Sequence, residues 1–331
     1  MEEMDKQKAL WQECNVQCGA LLIYKVILNV VVAVVMFVAA FSLIFSLAFS
    51  GAMEDMTTSV ELTQVVMDDV LAATGWGYLL AVAVGIGILL LWKKPAYISN
   101  VLLQRGKPMR VGSFFVILSF FLAFQLLVQA VSYGLEALLN QFDLSLMELL
   151  ESSSANMDSF SMLLYIGIAA PITEELIFRG LILRSLEPYG KGIAILVSAF
   201  LFGMFHGNPI QTPFAMLVGV ILAYTTLEYN ILWAMVLHMI NNLILGDTLP
   251  RLLEGIRYGI SDTVTWGIIL VAALAALTIT LVNWRKVPAF LQQLRTEKWQ
   301  WKKVFTSPCM IILTVSCVLD MVLLAAMLVF L

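Results

Sequence analysis

The sequence predicts an all-α fold: a polytopic transmembrane helical bundle of about nine membrane spans, with its N-terminus in the cytoplasm. Three observations carry that expectation. Apolar residues make up 61% of the chain and charged residues 13%, and mean hydropathy is +0.92, far from the composition of soluble domains. The apolar residues gather into runs long enough, at ~1.5 Å of helix per residue, to cross a hydrocarbon core of ~30 Å. The charged residues fall between those runs and sort by sign, as loops on opposite sides of a bilayer do.

Met1–Gly19 is charged, with Leu10 and Trp11 able to dip into the interface, and reads as a short cytoplasmic surface segment. It has no apolar core followed by a small-residue cleavage site, so the first span is expected to act as an uncleaved signal. Ala20–Ser50 is that span, and Lys25 can snorkel from its first turn. The loop Gly51–Gly75 carries Glu54, Asp55, Glu61, Asp68 and Asp69 and no basic residue. Trp76–Trp92 returns and ends at Lys93 and Lys94, and the next loop adds Arg105, Lys107 and Arg110. Val111–Gly134 is the third span; Leu135–Phe160 is again acidic without a basic residue. Ser161–Leu183 is the fourth, ending at Arg184.

Gly192–Asn208, Thr212–Thr226 and Asn230–Gly246 continue the alternation, followed by a mixed loop, Asp247–Thr265. Trp266–Trp284 leads into a basic loop bearing Arg285, Lys286, Arg295, Lys298, Lys302 and Lys303. Pro308–Leu331 is the last span, with Asp320 in its interior, where a helix–helix hydrogen bond is the plain expectation. With the N-terminus inside, only Arg251 and Arg257 of the nineteen basic residues fall outside. The chain has no basic tract or zinc-knuckle spacing, which argues against a nucleic-acid partner. Cys14, Cys18, Cys309 and Cys317 form no CxxC pair and read as reduced packing residues.

The run Ala169–Leu183 concentrates what chemistry the sequence offers. Glu174, Glu175 and Arg179 stand inside a membrane span, where unpaired charge is costly and calls for a function. On an α-helix Glu175 and Arg179 lie one turn apart and can pair, while Glu174 points ~100° away with no partner in its own helix. Pro171, one turn earlier, is expected to kink the helix. Both of the chain's histidines, His206 and His238, also fall in apolar runs, and none lies in a loop. His238 and Asn242 are four apart, so imidazole and carboxamide can aim two donors at one point, as an oxyanion requires. Counted from the cytoplasmic ends, Glu174 and His238 lie at mid-membrane depth, but His206 lies higher.

Glu-Glu-x-x-x-Arg at Glu174–Arg179, Phe-x-x-x-His at Phe202–His206 and His-x-x-x-Asn at His238–Asn242 resemble the three motifs of the CAAX-processing and bacteriocin-processing (CPBP, or Abi) family of intramembrane proteases. They stand in that family's order, and Gly180 and Gly203 also fit it. On this resemblance the chain divides into residues 1–160 with the first three spans, a core over 161–246, and 247–331 with two further helices. It implies peptide-bond hydrolysis within the membrane. Glu174 would activate water with help from His206, His238 and Asn242 would hold the oxyanion, and Glu175 and Arg179 would hold the site together. The family has been described both as metallo- and as glutamate-dependent proteases. Glu174, His206 and His238 have the composition of a catalytic zinc set, but no His-Glu-x-x-His fixes two ligands on one helix, and the expectation favours no cofactor.

Two other readings stand beside this one. A non-catalytic bacteriocin-immunity or scaffold member of the same family would carry the same motifs. A transporter or proton-conducting protein would also bury such residues, but is expected to show repeat halves, which this sequence lacks. The expected partners are the lipid bilayer and a membrane-associated peptide or protein substrate. The expected location is the plasma membrane of a bacterium.

Overall fold

A backbone in hydrocarbon has to satisfy its own hydrogen bonds, and apolar runs of this length do so as helices. The computed structural model describes residues 2–50, 59–93, 95–102, 104, 106–142, 159–256 and 260–330, and among these there is no strand. In chain order come α1 (Glu2–Ser50), α2 (Ser59–Lys93), α3 (Pro95–Leu102) and α4 (Val111–Leu139). One continuous helical stretch follows: α5 (Phe160–Leu164), a π-helical Tyr165–Ala169, α6 (Ala170–Glu174), a π-helical Glu175–Leu183 and α7 (Arg184–Leu186). Then come α8 (Lys191–Phe205), α9 (Gln211–Glu228), α10 (Ile231–Met239) with a π-helical Ile240–Thr248, and α11 (Leu249–Ile256). The last are α12 (Ile260–Val282), α13 (Val287–Gln293), α14 (Lys298–Phe305) and α15 (Pro308–Phe330).

This is a multi-pass membrane protein. Among the described residues six helices are long and apolar enough to cross a bilayer: Glu3–Phe49, Ala73–Lys93, Val111–Leu138, Phe160–Tyr189, Thr263–Val282 and Pro308–Ala326. Large apolar side chains such as Phe37, Leu91 and Val271 stand exposed along them, as lipid-facing residues should. The expected count was nine. The three that do not qualify are the helices of residues 192–246. At 15 residues, α8 is ~22 Å long, short of a ~30 Å core.

Several expected loops are helical where they are described, including 59–75, 95–102, 249–256 and 287–293. The acidic residues Glu54 and Asp55, with most of the second acidic loop, Arg105 and Arg257, lie outside the described residues. Residues 2–19 form the start of α1, with Leu10, Cys14, Gln17 and Cys18 buried and Glu3, Asp5, Lys6 and Lys8 exposed. Trp11 Nε1 donates to the Thr306 carbonyl at 3.2 Å, and Asn15 Oδ1 accepts from the Cys309 amide at 3.0 Å. All four cysteines are free thiols.

The chain forms two compact units. One comprises Ile23–Ser99 and Ala155–Thr173; within it Tyr78 and Tyr165 stack at 4.5 Å. The other comprises Met1–Leu22, Asn100–Ser154 and Glu174–Leu331, and contains every candidate site residue. Several of its turns meet at one end. Lys107 N donates to the Glu228 carbonyl at 3.0 Å and its ammonium pairs with the Glu228 carboxylate. Arg184 Nη2 donates to the Thr226 carbonyl at 3.2 Å, and Gln300 Nε2 to the Tyr189 carbonyl at 2.7 Å. Gly192 meets the Leu294 carbonyl so closely that a Cβ there would stand 2.5 Å from its oxygen. α8 therefore starts, and α9 ends, where the basic segment 285–303 docks.

Candidate active site

Glu174 closes α6 and Glu175 opens the π-helical turn that follows, so the two carboxylates leave the helix where its winding changes. A π segment is a recurrent feature of functional sites, because its wider turn displaces side chains from the regular α register. The turn before Pro171 is π-helical as well, with the Ala170 amide donating to the Tyr165 carbonyl. The helix thus departs from α winding on both sides of Pro171.

Glu175 and Arg179 are both fully buried, and Arg179 Nε lies 3.2 Å from Glu175 Oε2. These atoms are out of line for a hydrogen bond: Glu175 Oε2 and Arg179 Nε and Nη1 make none among the described residues, so the pair attracts as charges. The other oxygen, Oε1, lies 2.9 Å from His238 Nδ1. A carboxylate held by a guanidinium accepts rather than donates, so His238 Nδ1 carries the hydrogen. That bond turns His238 Nε2 toward Glu174, whose Oε2 is 3.7 Å away. The Glu174 side chain is 21% exposed, where those of Glu175 and Arg179 are at 0%. Arg179, Glu175 and His238 form a buried chain of contacts that ends at the one carboxylate of the pair open to a reactant.

His206 is not within its helix but caps the C-terminus of α8. Its Nδ1 lies 2.8 Å from the Phe202 carbonyl. A carbonyl only accepts, so Nδ1 carries the hydrogen and Nε2 is the basic nitrogen of the neutral ring. Because α8 starts at Lys191 and ends one residue before His206, the count along the helix still puts His206 higher than Glu174 and His238.

Phe202 joins the two imidazoles. Its buried ring makes edge contacts with His206 at 4.9 Å and His238 at 5.6 Å, and the Arg179 guanidinium carbon lies 4.2 Å over its face. This hub had no assigned role in the sequence, although Phe202 opens the motif that ends at His206. The α8–α9 hairpin that presents it packs closely at Gly203, where a Cβ would stand 2.6 Å from the Thr212 carbonyl. Thr212 Oγ1 donates to the Gly203 carbonyl at 3.1 Å, and Asn208 Oδ1 starts α9 by accepting from Ile210 and Gln211. Asn242 lies in the π-helical Ile240–Thr248, half-buried, with Oδ1 accepting from Asn241 Nδ2 at 2.9 Å.

Residues 156–244 match the family described as type II CAAX prenyl endopeptidase Rce1-like. Over that quarter of the chain the sequence is similar to the CAAX protease family. No curated protein and no solved structure matches the chain. The family is one of proteases, and its segment spans the Glu-pair helix, the α8–α9 hairpin and α10 through Asn242. Among the described residues no three His, Cys, Asp or Glu side chains are gathered as a metal-holding group.

Proposed function

We propose that the protein is an intramembrane endopeptidase, hydrolysing a peptide bond of a membrane-associated peptide or protein, with Glu174 as the base. The observation behind this reading is the contrast between neighbouring carboxylates: Glu175 is buried between Arg179 and His238, while Glu174 is partly open beside His238 Nε2. Glu174 takes a proton from water as the water oxygen bonds to the carbonyl carbon, and the carbonyl electron pair moves to its oxygen. As the C–N bond breaks, the pair returns and Glu174 passes the proton to the departing nitrogen. His206 assists through Nε2, accepting from the water.

Asn242 Nδ2 and His238 are the proposed oxyanion donors. Because the Nδ1 hydrogen of His238 is committed to Glu175, it serves an oxyanion through Nε2 only as the imidazolium.

The test pairs metal analysis with cleavage of quenched-fluorescent membrane peptides, a prenylated C-terminal tail among them, by wild type, Glu174→Gln, His206→Ala and His238→Ala. Cleavage without stoichiometric metal, abolished by Glu174→Gln, is expected. Stoichiometric zinc lost with either histidine would reassign His238 from donor to ligand. Folded wild type that cleaves nothing would favour the non-catalytic reading.

A further inference from the structure

Asp320 lies outside the family segment and all three motifs, in the interior of the last span, Pro308–Ala326. A carboxylate at that depth needs a polar neighbour. It finds the turn that follows His206. Gly207, the next residue, has φ +60°, and a Cβ built on it would stand 3.3 Å from Asp320 Cβ and 3.5 Å from Oδ2. The left-handed backbone and the absence of a side chain at Gly207 leave room for the Asp320 side chain beside this turn, whose Gly207 amide donates to the Met204 carbonyl at 3.1 Å. Depth agrees: Asp320 is ~18 Å from the start of α15 and the end of α8 is ~22 Å from its own start. Both helices start at the end of the unit where the basic segment docks on α8. His206 and Asp320 are both exposed on the protein surface.

We propose that Asp320 is a positioning residue of the candidate active site: its carboxylate, reaching from the last helix, holds the His206–Gly207 turn and so fixes the direction of the His206 imidazole. The proposal rests on the reading of His206 as a member of the site, and makes the last helix part of that site. Asp320 acts through backbone and packing at Gly207 and needs no contact with substrate.

The two histidines of the chain allow a direct test by ¹⁵N-imidazole NMR of the full-length protein in detergent. Asp320→Ala should move the His206 resonances and leave those of His238 in place. Asp320→Asn, of the same reach and still carrying an acceptor oxygen, should restore most of the His206 position. Gly207→Ala, which puts a Cβ against Asp320, should move His206 as Asp320→Ala does. Turnover of Asp320→Ala should fall about 10- to 100-fold with KM little changed, as expected for a misdirected group. Folded Asp320→Ala with His206 unmoved overturns the proposal, as does an equal shift of both histidines that Asp320→Asn fails to reverse. If Asp320→Ala does not fold, an unmoved His206 in Gly207→Ala overturns it instead. Absence of wild-type cleavage alongside a His206-specific shift would sink the endopeptidase reading and leave the Asp320 contact standing.

Discussion

Glu174 and Glu175 are adjacent in sequence and have opposite surroundings, so the same substitution should do different things to them. Glu174→Gln removes the proposed base from a partly open position and should abolish cleavage with the melting temperature unchanged. Glu175→Gln keeps an oxygen for His238 Nδ1 but strips the buried Arg179 of its counter-charge. It should lower the melting temperature and reduce cleavage less than Glu174→Gln does; the reverse ranking in one assay would mean the two roles are exchanged. Arg179→Ala strands a buried carboxylate, which typically costs about 3–5 kcal/mol. Its folded yield in detergent should drop sharply, and Arg179→Ala/Glu175→Gln should recover part of the loss. The Glu175–Arg179 pair was legible from spacing alone, because i,i+4 neighbours meet on any helix close to α geometry. The His238–Glu175 bond was not, since it joins residues 63 apart and no local pattern encodes such a contact.

At the scale of elements, the membrane-length helices were readable because length and hydropathy suffice to identify them. The π-helical segments Glu175–Leu183 and Ile240–Thr248 were not. The wider turn shifts each side chain by only a fraction of a turn, and the order of residue types does not record that shift. Helices in the expected loops were missed for the complementary reason: 249–256 and 287–293 are too short and too polar to announce themselves by hydropathy. The α8–α9 hairpin is the element on which His206 depends, and Gly203 is its tightest point. Gly203→Ala would bring a Cβ to 2.6 Å from the Thr212 carbonyl, a backbone atom that moves only with its helix. Overpacking of this kind costs about 1–3 kcal/mol. Gly203→Ala should therefore lower the melting temperature and weaken cleavage together, whereas Gly112→Ala, with open space around its Cβ, should change neither.

For the molecule as a whole, charge and contacts together constrain the path through the membrane. The positive-inside rule asks for the basic segment 285–303 in the cytoplasm, and its docking against Tyr189 and Gly192 puts the start of α8 on that same side. The ends of α9 and of the α7 region share that side, through Thr226, Glu228, Arg184 and Lys107. Hence α8 and α9 leave and return, whether or not their turn emerges. Thr263–Val282 is long enough to cross and ends at the basic segment, so it must begin on the opposite face. On that orientation the chain between residues 229 and 260 is expected to cross once, and 231–248, helical throughout, is the candidate segment. An odd number of crossings is expected on the same orientation, seven if the α8–α9 turn stays in the bilayer and nine if it emerges, with residues 1 and 331 expected on opposite sides. Fusing a fluorescent protein or alkaline phosphatase after Gln293 and after Leu331 tests this directly. The first position should give fluorescence and no phosphatase activity, and the second the reverse. A cytoplasmic reading at both would mean that the last span does not cross. A phosphatase signal after Gln293 would reject the orientation on which the depth of Glu174 and His238 was reckoned.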